Sequence, residues 1–223
     1  MSFRATTDLF AGEDAAAPAG RVDVLGPGAH VLRGFALDAA AALLAALRAV
    51  IAAAPFRHMV TPGGLRMAVA MTNCGSLGWV SDRRGYRYDP VDPQTGARWP
   101  PMPATFARLA ADAAARAGFD AFVPDACLVN RYAPGTRLSL HQDRNERDFA
   151  APIVSVSLGL PAVFLWGGLR RTDRPRRLRL EHGDVVVWGG PSRLVFHGVD
   201  TLADGEHPAT GRCRINLTFR KAL

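Results

Sequence analysis

The sequence predicts an α+β protein, mainly β, in which a jelly-roll core carries two helices and a loop-rich region from the first half of the chain. Three observations predict it. Two Ala/Leu-rich segments before residue 120 show helical periodicity, and seven short β-prone runs follow residue 126 with no helix between them. Between the helices, Gly and Pro turns alternate with aromatics and arginines. Short strands without intervening helices pair antiparallel and close as a double sheet.

A chain of 223 residues suits one domain with a substantial core. Residues 1–27 read as a flexible lead, since AGEDAAAPAG is small, Pro-containing and aperiodic. Residues 28–120 hold the helices and the loop-rich region. A helix is expected from Asp38, a candidate N-cap, to Ala53, because Leu43, Leu44, Leu47, Val50 and Ile51 recur three or four apart. A second is expected from Pro103 to Ala117, with Pro103 at the first helical position and Gly118 as the stop. Over 55–101, Trp79, Tyr86, Tyr88 and Trp99 are interspersed with Arg57, Arg66, Arg83, Arg84 and Arg87, which suggests short strands and loops presenting aromatics beside cations. The core, 121–223, is expected to use strands at 126–132, 153–160, 162–166, 177–181, 184–188, 193–197 and 212–219.

Bulk chemistry narrows the function. Asp38 and Arg48 interrupt the longest apolar stretch, 36–56, so a membrane span is not expected. The N-terminus lacks a secretory apolar run, and Cys74, Cys127 and Cys213 are too scattered for a disulfide framework or a zinc site. A reducing, cytoplasmic setting follows. The net charge of +7 favours an anionic partner, nucleic acid first. Lys221 is the only lysine, so the charge is carried by arginine, whose planar fork suits phosphate and carboxylate.

The histidines suggest a metal. In LSLHQD, His141 and Asp143 are two apart, so on a strand both point to one face. His197, closing RLVFH, can complete two histidines and one carboxylate, the set that holds iron(II) in non-haem oxygenases and leaves positions open. His182 and Asp184 repeat the spacing, but Gly183 between them gives that copy a ready explanation as a turn. Spacing favours the first copy without removing the second. His30, His58 and His207, in Gly/Pro or polar surroundings, read as surface histidines.

The run RCRINLTFR is more informative. As a strand it puts Arg214, Asn216, Thr218 and Arg220 on one face and Ile215, Leu217 and Phe219 on the other. Guanidinium groups inside a sheet protein need an anion, and a carboxylate fits best. Beside a metal triad, such a face suits 2-oxoglutarate; the alternative is that the arginines pair with the protein's own acids. Asn130 and Tyr132, two apart in CLVNRY, could offer an amide and a phenol to the same ligand.

Together MVTPGG, MTNCGSLGW, DACLVNRYAPG, LSLHQD, APIVSVSLGLPAVF, LEHGDVVVWGG and RCRINLTFR resemble the AlkB family of iron(II) and 2-oxoglutarate dependent nucleic-acid demethylases, over about residues 28–220. The resemblance implies a double-stranded β-helix (jelly roll) with a nucleotide-recognition lid. It implies His141, Asp143 and His197 as catalytic metal ligands and Asn130, Tyr132, Arg214, Asn216 and Arg220 around 2-oxoglutarate, with O2 as co-substrate. Trp79 would stack on an extruded base opposite His141, Tyr86, Arg87 and Tyr88 would meet the sugar-phosphate backbone, and Arg171 would approach the substrate. Where bacterial members carry a second acidic residue two positions after the metal aspartate, this chain has Asn145, which can donate as well as accept. The implied activity is hydroxylation of the alkyl group of bases such as 1-methyladenine and 3-methylcytosine, with release of formaldehyde and succinate, in single- or double-stranded DNA or in RNA, by a monomer. The competing readings are the same chemistry on RNA, a nucleotide or a protein, a damage-binding protein without catalysis, and a zinc hydrolase on the same ligands.

Overall fold

The computed structural model describes residues 18–223. Two sheets face each other. The larger has seven strands: β1 (Val22–Gly26), β2 (Ala29–Leu32), β3 (Ala70–Gly75), β6 (Ala126–Tyr132), β8 (Ile153–Gly159), β11 (Val185–Trp188) and β13 (Arg214–Arg220), in the order β1-β2-β11-β8-β13-β6-β3. The smaller has β7 (Leu138–His141), β9 (Ala162–Trp166), β10 (Arg176–Leu180) and β12 (His197–Val199), in the order β10-β9-β12-β7. A hairpin of β4 (Gly78–Asp82) and β5 (Gly85–Asp89) stands apart. All named pairings are antiparallel, the expected jelly roll.

Helices α1 (Ala40–Ala53) and α2 (Ala104–Arg116) cover the outer face of the large sheet. Leu43, Leu47 and Val50 of α1 and Phe106, Ala110 and Ala113 of α2 pack with Val129, Val156, Ile215, Leu217 and Phe219. Phe106 meets Phe219 edge-on, ring centroids 6.0 Å apart. The alternation along β13 therefore places Ile215, Leu217 and Phe219 under the helices, while Arg214, Asn216, Thr218 and Arg220 face the space between the sheets. All seven residues of β13 are buried. Phe219→Ala is expected to cost about 3–5 kcal/mol, read as a lower urea midpoint; a midpoint unchanged from the parent would contradict the packing.

The local differences from expectation have physical causes. Asp38 caps nothing: the turn that begins at Gly34 runs into α1, with Leu37 O accepting from Ala40 N at 3.1 Å and Ala39 O from Leu43 N at 2.9 Å. Pro103 is the residue before α2 rather than its first. The strand expected at 193–197 is a turn that becomes β12 only at His197, because Gly190–Ser192 forms a 3-10 turn and Gln142 Nε2 takes Leu194 O at 2.6 Å. The lead expected over 1–27 is strand from Val22 to Gly26, and its first 17 residues lie outside the described ones. Asp184 belongs to the fold: its carboxylate accepts Arg33 Nη1 (2.7 Å), Gly34 N (2.8 Å) and Glu181 N (2.9 Å), and His182 Nδ1 accepts Gly159 N (2.9 Å).

Candidate active site

The two sheets enclose a cavity of about 620 Å³ that opens at the β4–β5 hairpin. On its small-sheet side, β7 and β12 lie in register with His141 opposite His197. Asp143 follows β7 by two residues, and the three side chains bring one ligand atom each within 4.8 Å of one another. His141 Nε2 is 3.6 Å from Asp143 Oδ1, and His197 Nε2 is 3.9 Å from Oδ2. Among the described residues this is the one cluster of three or more metal-ligating side chains, and neither His182 nor Asp184 is in it.

The backbone fixes both rings for ligation. His141 Nδ1 donates to Ser139 O at 2.9 Å and His197 Nδ1 to Val195 O at 3.0 Å, which leaves each Nε2 with a lone pair turned towards Asp143. Burial and the nearby His141 push the His197 imidazole down to about 4, so it stays neutral at physiological pH. Burial works against ionising Asp143, but Arg220 and the two imidazoles outweigh it and hold the carboxyl well below the usual range. Arg220 donates Nε (2.9 Å) and Nη2 (2.6 Å) to Asp143 Oδ2.

Gly198 allows the two histidine strands to approach. A Cβ there would lie 2.6 Å from Leu138 O and 3.2 Å from Leu140 N. Gly198→Ala is therefore expected to push β7 away from β12 and weaken iron(II) or manganese(II) binding by about tenfold or more. Metal titration of the folded variant measures this, and parent-like affinity would show that the approach is not needed.

On the large-sheet side the polar face of β13 meets β6. Asn216 Nδ2 donates to Ser155 Oγ (2.8 Å) and Val156 O (3.0 Å), while its Oδ1 accepts Asn130 Nδ2 (3.3 Å) and Thr218 Oγ1 (2.9 Å). Arg214 is 1% exposed, lies with its guanidinium carbon 5.1 Å from the Tyr132 ring centroid, and has one hydrogen bond, Nη2 to Ser157 Oγ at 3.0 Å. Its Nε and Nη1, and Asn130 Oδ1, have no partner among the described residues. Burial lowers its pKa, and among the described residues no carboxylate pairs with it. A buried guanidinium left this way is a site for an anion. The two arginines thus divide: Arg220 pairs with the protein's own acid, and Arg214 does not.

At the mouth, Trp79 and Tyr86 stack with centroids 5.7 Å apart. Asn73, fully buried in β3, grips the Trp79 backbone from both sides, Oδ1 from N and Nδ2 to O, each at 3.0 Å. Trp79 Nε1 donates to Asn145 Oδ1 at 3.2 Å. Arg171 lines the cavity, and so do the exposed Arg137 and Arg144, which the sequence reading did not single out. Arg87 and Tyr88 are engaged differently: Arg87 pairs with Asp82 (2.9 Å) and Asp89 (3.4 Å), and the Tyr88 hydroxyl turns inward to Glu146 at 2.5 Å. Trp99 is buried under the hairpin, its Nε1 on Asp89 O at 2.9 Å.

A jelly roll holding two histidines and one carboxylate beside a buried, unpaired arginine defines a non-haem iron oxygenase that takes a carboxylate co-substrate. The chain belongs to the 2OG-Fe(II) oxygenase superfamily, whose family model matches residues 28–220. It is 60% identical over 198 residues to the Alpha-ketoglutarate-dependent dioxygenase AlkB of Escherichia coli, covering 89% of this chain and 92% of that one. It is 47% identical over 198 residues to the AlkB homolog of Caulobacter vibrioides, 88% of each chain. The solved structure of OsALKBH1 superposes with a TM-score of 0.80 at 29% identity, over 90% of this chain and all of that one. The protein is an iron(II) and 2-oxoglutarate dependent dioxygenase that uses O2.

Proposed function

We propose that the protein removes alkyl groups oxidatively from bases of nucleic acid, acting on 1-methyladenine and 3-methylcytosine in DNA, with RNA as a second substrate. The observation that carries this reading is the cavity itself: a metal triad and an unpaired Arg214 at its floor, and a Trp79–Tyr86 stack with Arg137, Arg144 and Arg171 at its mouth. Relatives at high identity carry the name of the AlkB dioxygenase. The formal charge of +7 suits a polyanion. Three free cysteines suit a reducing compartment, and we place the protein in the cytoplasm; among the described residues no helix is long and apolar enough to cross a membrane.

His141, Asp143 and His197 hold iron(II), which with 2-oxoglutarate and O2 supplies the oxidation of the alkyl carbon. Each chain residue has a simpler task. Arg214 receives the distal carboxylate through its free Nε and Nη1, with Tyr132 beneath it, and the Asn130–Asn216 pair borders the chain of the co-substrate. Arg220 holds the Asp143 carboxylate in its ionised, ligating form. Trp79 offers a flat face to an extruded base on the side opposite His141, kept in place by Asn73. Tyr86, Asn145 and Arg171 meet the base and backbone at the rim, while Arg87 and Tyr88, fastened to Asp82 and Glu146, keep the hairpin that carries them in shape.

The test is anaerobic reconstitution with iron(II), then air, 2-oxoglutarate and a short DNA strand containing 1-methyladenine, with succinate and formaldehyde measured together. Formaldehyde rising in step with succinate is expected. Succinate without formaldehyde on every alkylated DNA and RNA offered would overturn the substrate, and neither product from iron-loaded protein would leave a damage-binding protein.

A further inference from the structure

Glu146 lies three residues after Asp143 in an irregular loop, with a side chain 2% exposed. It does not line the cavity and is not in the metal-ligating cluster. A carboxylate this deeply buried needs donors and counter-charge, and both reach it from different parts of the fold. Tyr88 Oη donates from the lid hairpin at 2.5 Å and Arg193 Nη2 from the segment before His197 at 3.1 Å, while Arg220 Nε of β13 lies in ion-pair contact at 3.4 Å.

The same two arginines hold Asp143. Arg220 grips its carboxylate, and Arg193 Nη1 donates to its backbone oxygen at 2.7 Å. Two guanidinium groups and two carboxylates thus balance in one buried cluster, and of its two carboxylates Asp143 is the one that also faces the cavity. Glu146 is therefore the carboxylate that stays with Arg220 and Arg193 when Asp143 serves a metal. Its remaining donor, Tyr88, ties the cluster to the hairpin bearing Trp79, and burial keeps that hydroxyl protonated and donating.

We propose that Glu146 is a positioning residue that fastens the lid hairpin, through Tyr88, to Arg220 and Asp143, so that one buried carboxylate sets both the base-holding lid and the co-substrate pocket. The lid half of this inference rests on the nucleic-acid reading above; the pocket half needs only the dioxygenase.

Both halves are tested on the full chain loaded anaerobically with iron(II). 2-Oxoglutarate is titrated and followed by the visible charge-transfer absorption of a 2-oxo acid chelated to iron(II), and the KM for a methylated oligonucleotide is measured separately. Glu146→Gln keeps shape and removes charge, and is expected to raise the 2-oxoglutarate Kd by about tenfold or more. Tyr88→Phe is expected to leave that Kd within about twofold but to raise the oligonucleotide KM by about tenfold, and to add little to Glu146→Gln, since the two act through one contact. A role confined to folding would reduce the folded fraction and leave the Kd and KM of that fraction unchanged. Parent-like 2-oxoglutarate binding by Glu146→Gln, or fully additive KM effects of the two variants, overturns the proposal. If the parent binds 2-oxoglutarate but turns over no methylated strand, the substrate reading falls, and the Glu146–Arg220 link is still decided by the titration.

Discussion

Arg214→Met is expected to stabilise the protein without co-substrate and to disable it as an enzyme. The guanidinium is 1% exposed, keeps a single hydrogen bond to Ser157, and leaves Nε and Nη1 without partners. Burying a cation so poorly paired costs several kcal/mol, and replacing buried ionic groups by an apolar side chain of similar volume commonly gains about 1–4 kcal/mol. The urea midpoint without 2-oxoglutarate should therefore rise. The same N–H groups are the ones free to take a carboxylate, and losing one member of a buried charge pair costs about 2–5 kcal/mol of binding. The 2-oxoglutarate Kd should rise by about a hundredfold or more, and the midpoint should no longer respond to 2-oxoglutarate. A variant less stable than the parent that still binds 2-oxoglutarate normally would show that Arg214 serves the fold.

The two arginines of β13 also show how far the sequence reaches. Strand alternation puts Arg214 and Arg220 on one face, and the structure keeps both there, because a period of two survives wherever a strand is buried on both sides. Alternation cannot say that Arg220 is paired with Asp143 and that Arg214 is not, since Asp143 comes from a non-strand segment 77 residues away in sequence. His141 and His197 follow the same rule. The face His141 shares with Asp143 is legible, whereas His197 joins them only through the β7–β12 pairing, and the tautomers come from the carbonyls of Ser139 and Val195, local backbone geometry that no residue type encodes.

What the reading lacked is mostly irregular structure. RLVFH looks like one strand, yet only its last residue is in one, because the backbone before it is turned by Gly190–Ser192 and bonded by the side chain of Gln142. Arg193 and Glu146 sit in such segments and are buried through a pairing 47 residues apart, so neither gives a periodic signal. Asn73 was equally hidden: an amide in a buried strand reads as an ordinary polar interruption until its two bonds to the Trp79 backbone are seen. The hairpin's composition announced aromatics beside cations, but which of them face the cavity depended on Asp82, Asp89 and Glu146 claiming Arg87 and Tyr88.

Asp143→Asn should separate the fold's use of this side chain from the metal's. Asparagine keeps the size and can still accept a hydrogen bond from Arg220, but removes the charge that the arginine faces at 2.6 Å. Breaking a buried pair by neutralising one partner costs about 3–5 kcal/mol, and Glu146, 3.4 Å from Arg220 Nε, offsets part of it, which places the expected loss near about 3 kcal/mol. The variant should fold, because Arg220 retains that second carboxylate, and should melt lower than the parent. Iron-dependent turnover should disappear, since two imidazoles and an amide offer a divalent cation no anionic ligand. The decisive comparison is the shift in melting temperature on adding manganese(II), an oxygen-stable stand-in for iron(II). The parent should gain stability because metal binds only the native triad, and Asp143→Asn should not respond. A variant that loses turnover but keeps the manganese shift would place the metal on other residues; one that keeps both would remove Asp143 from the site.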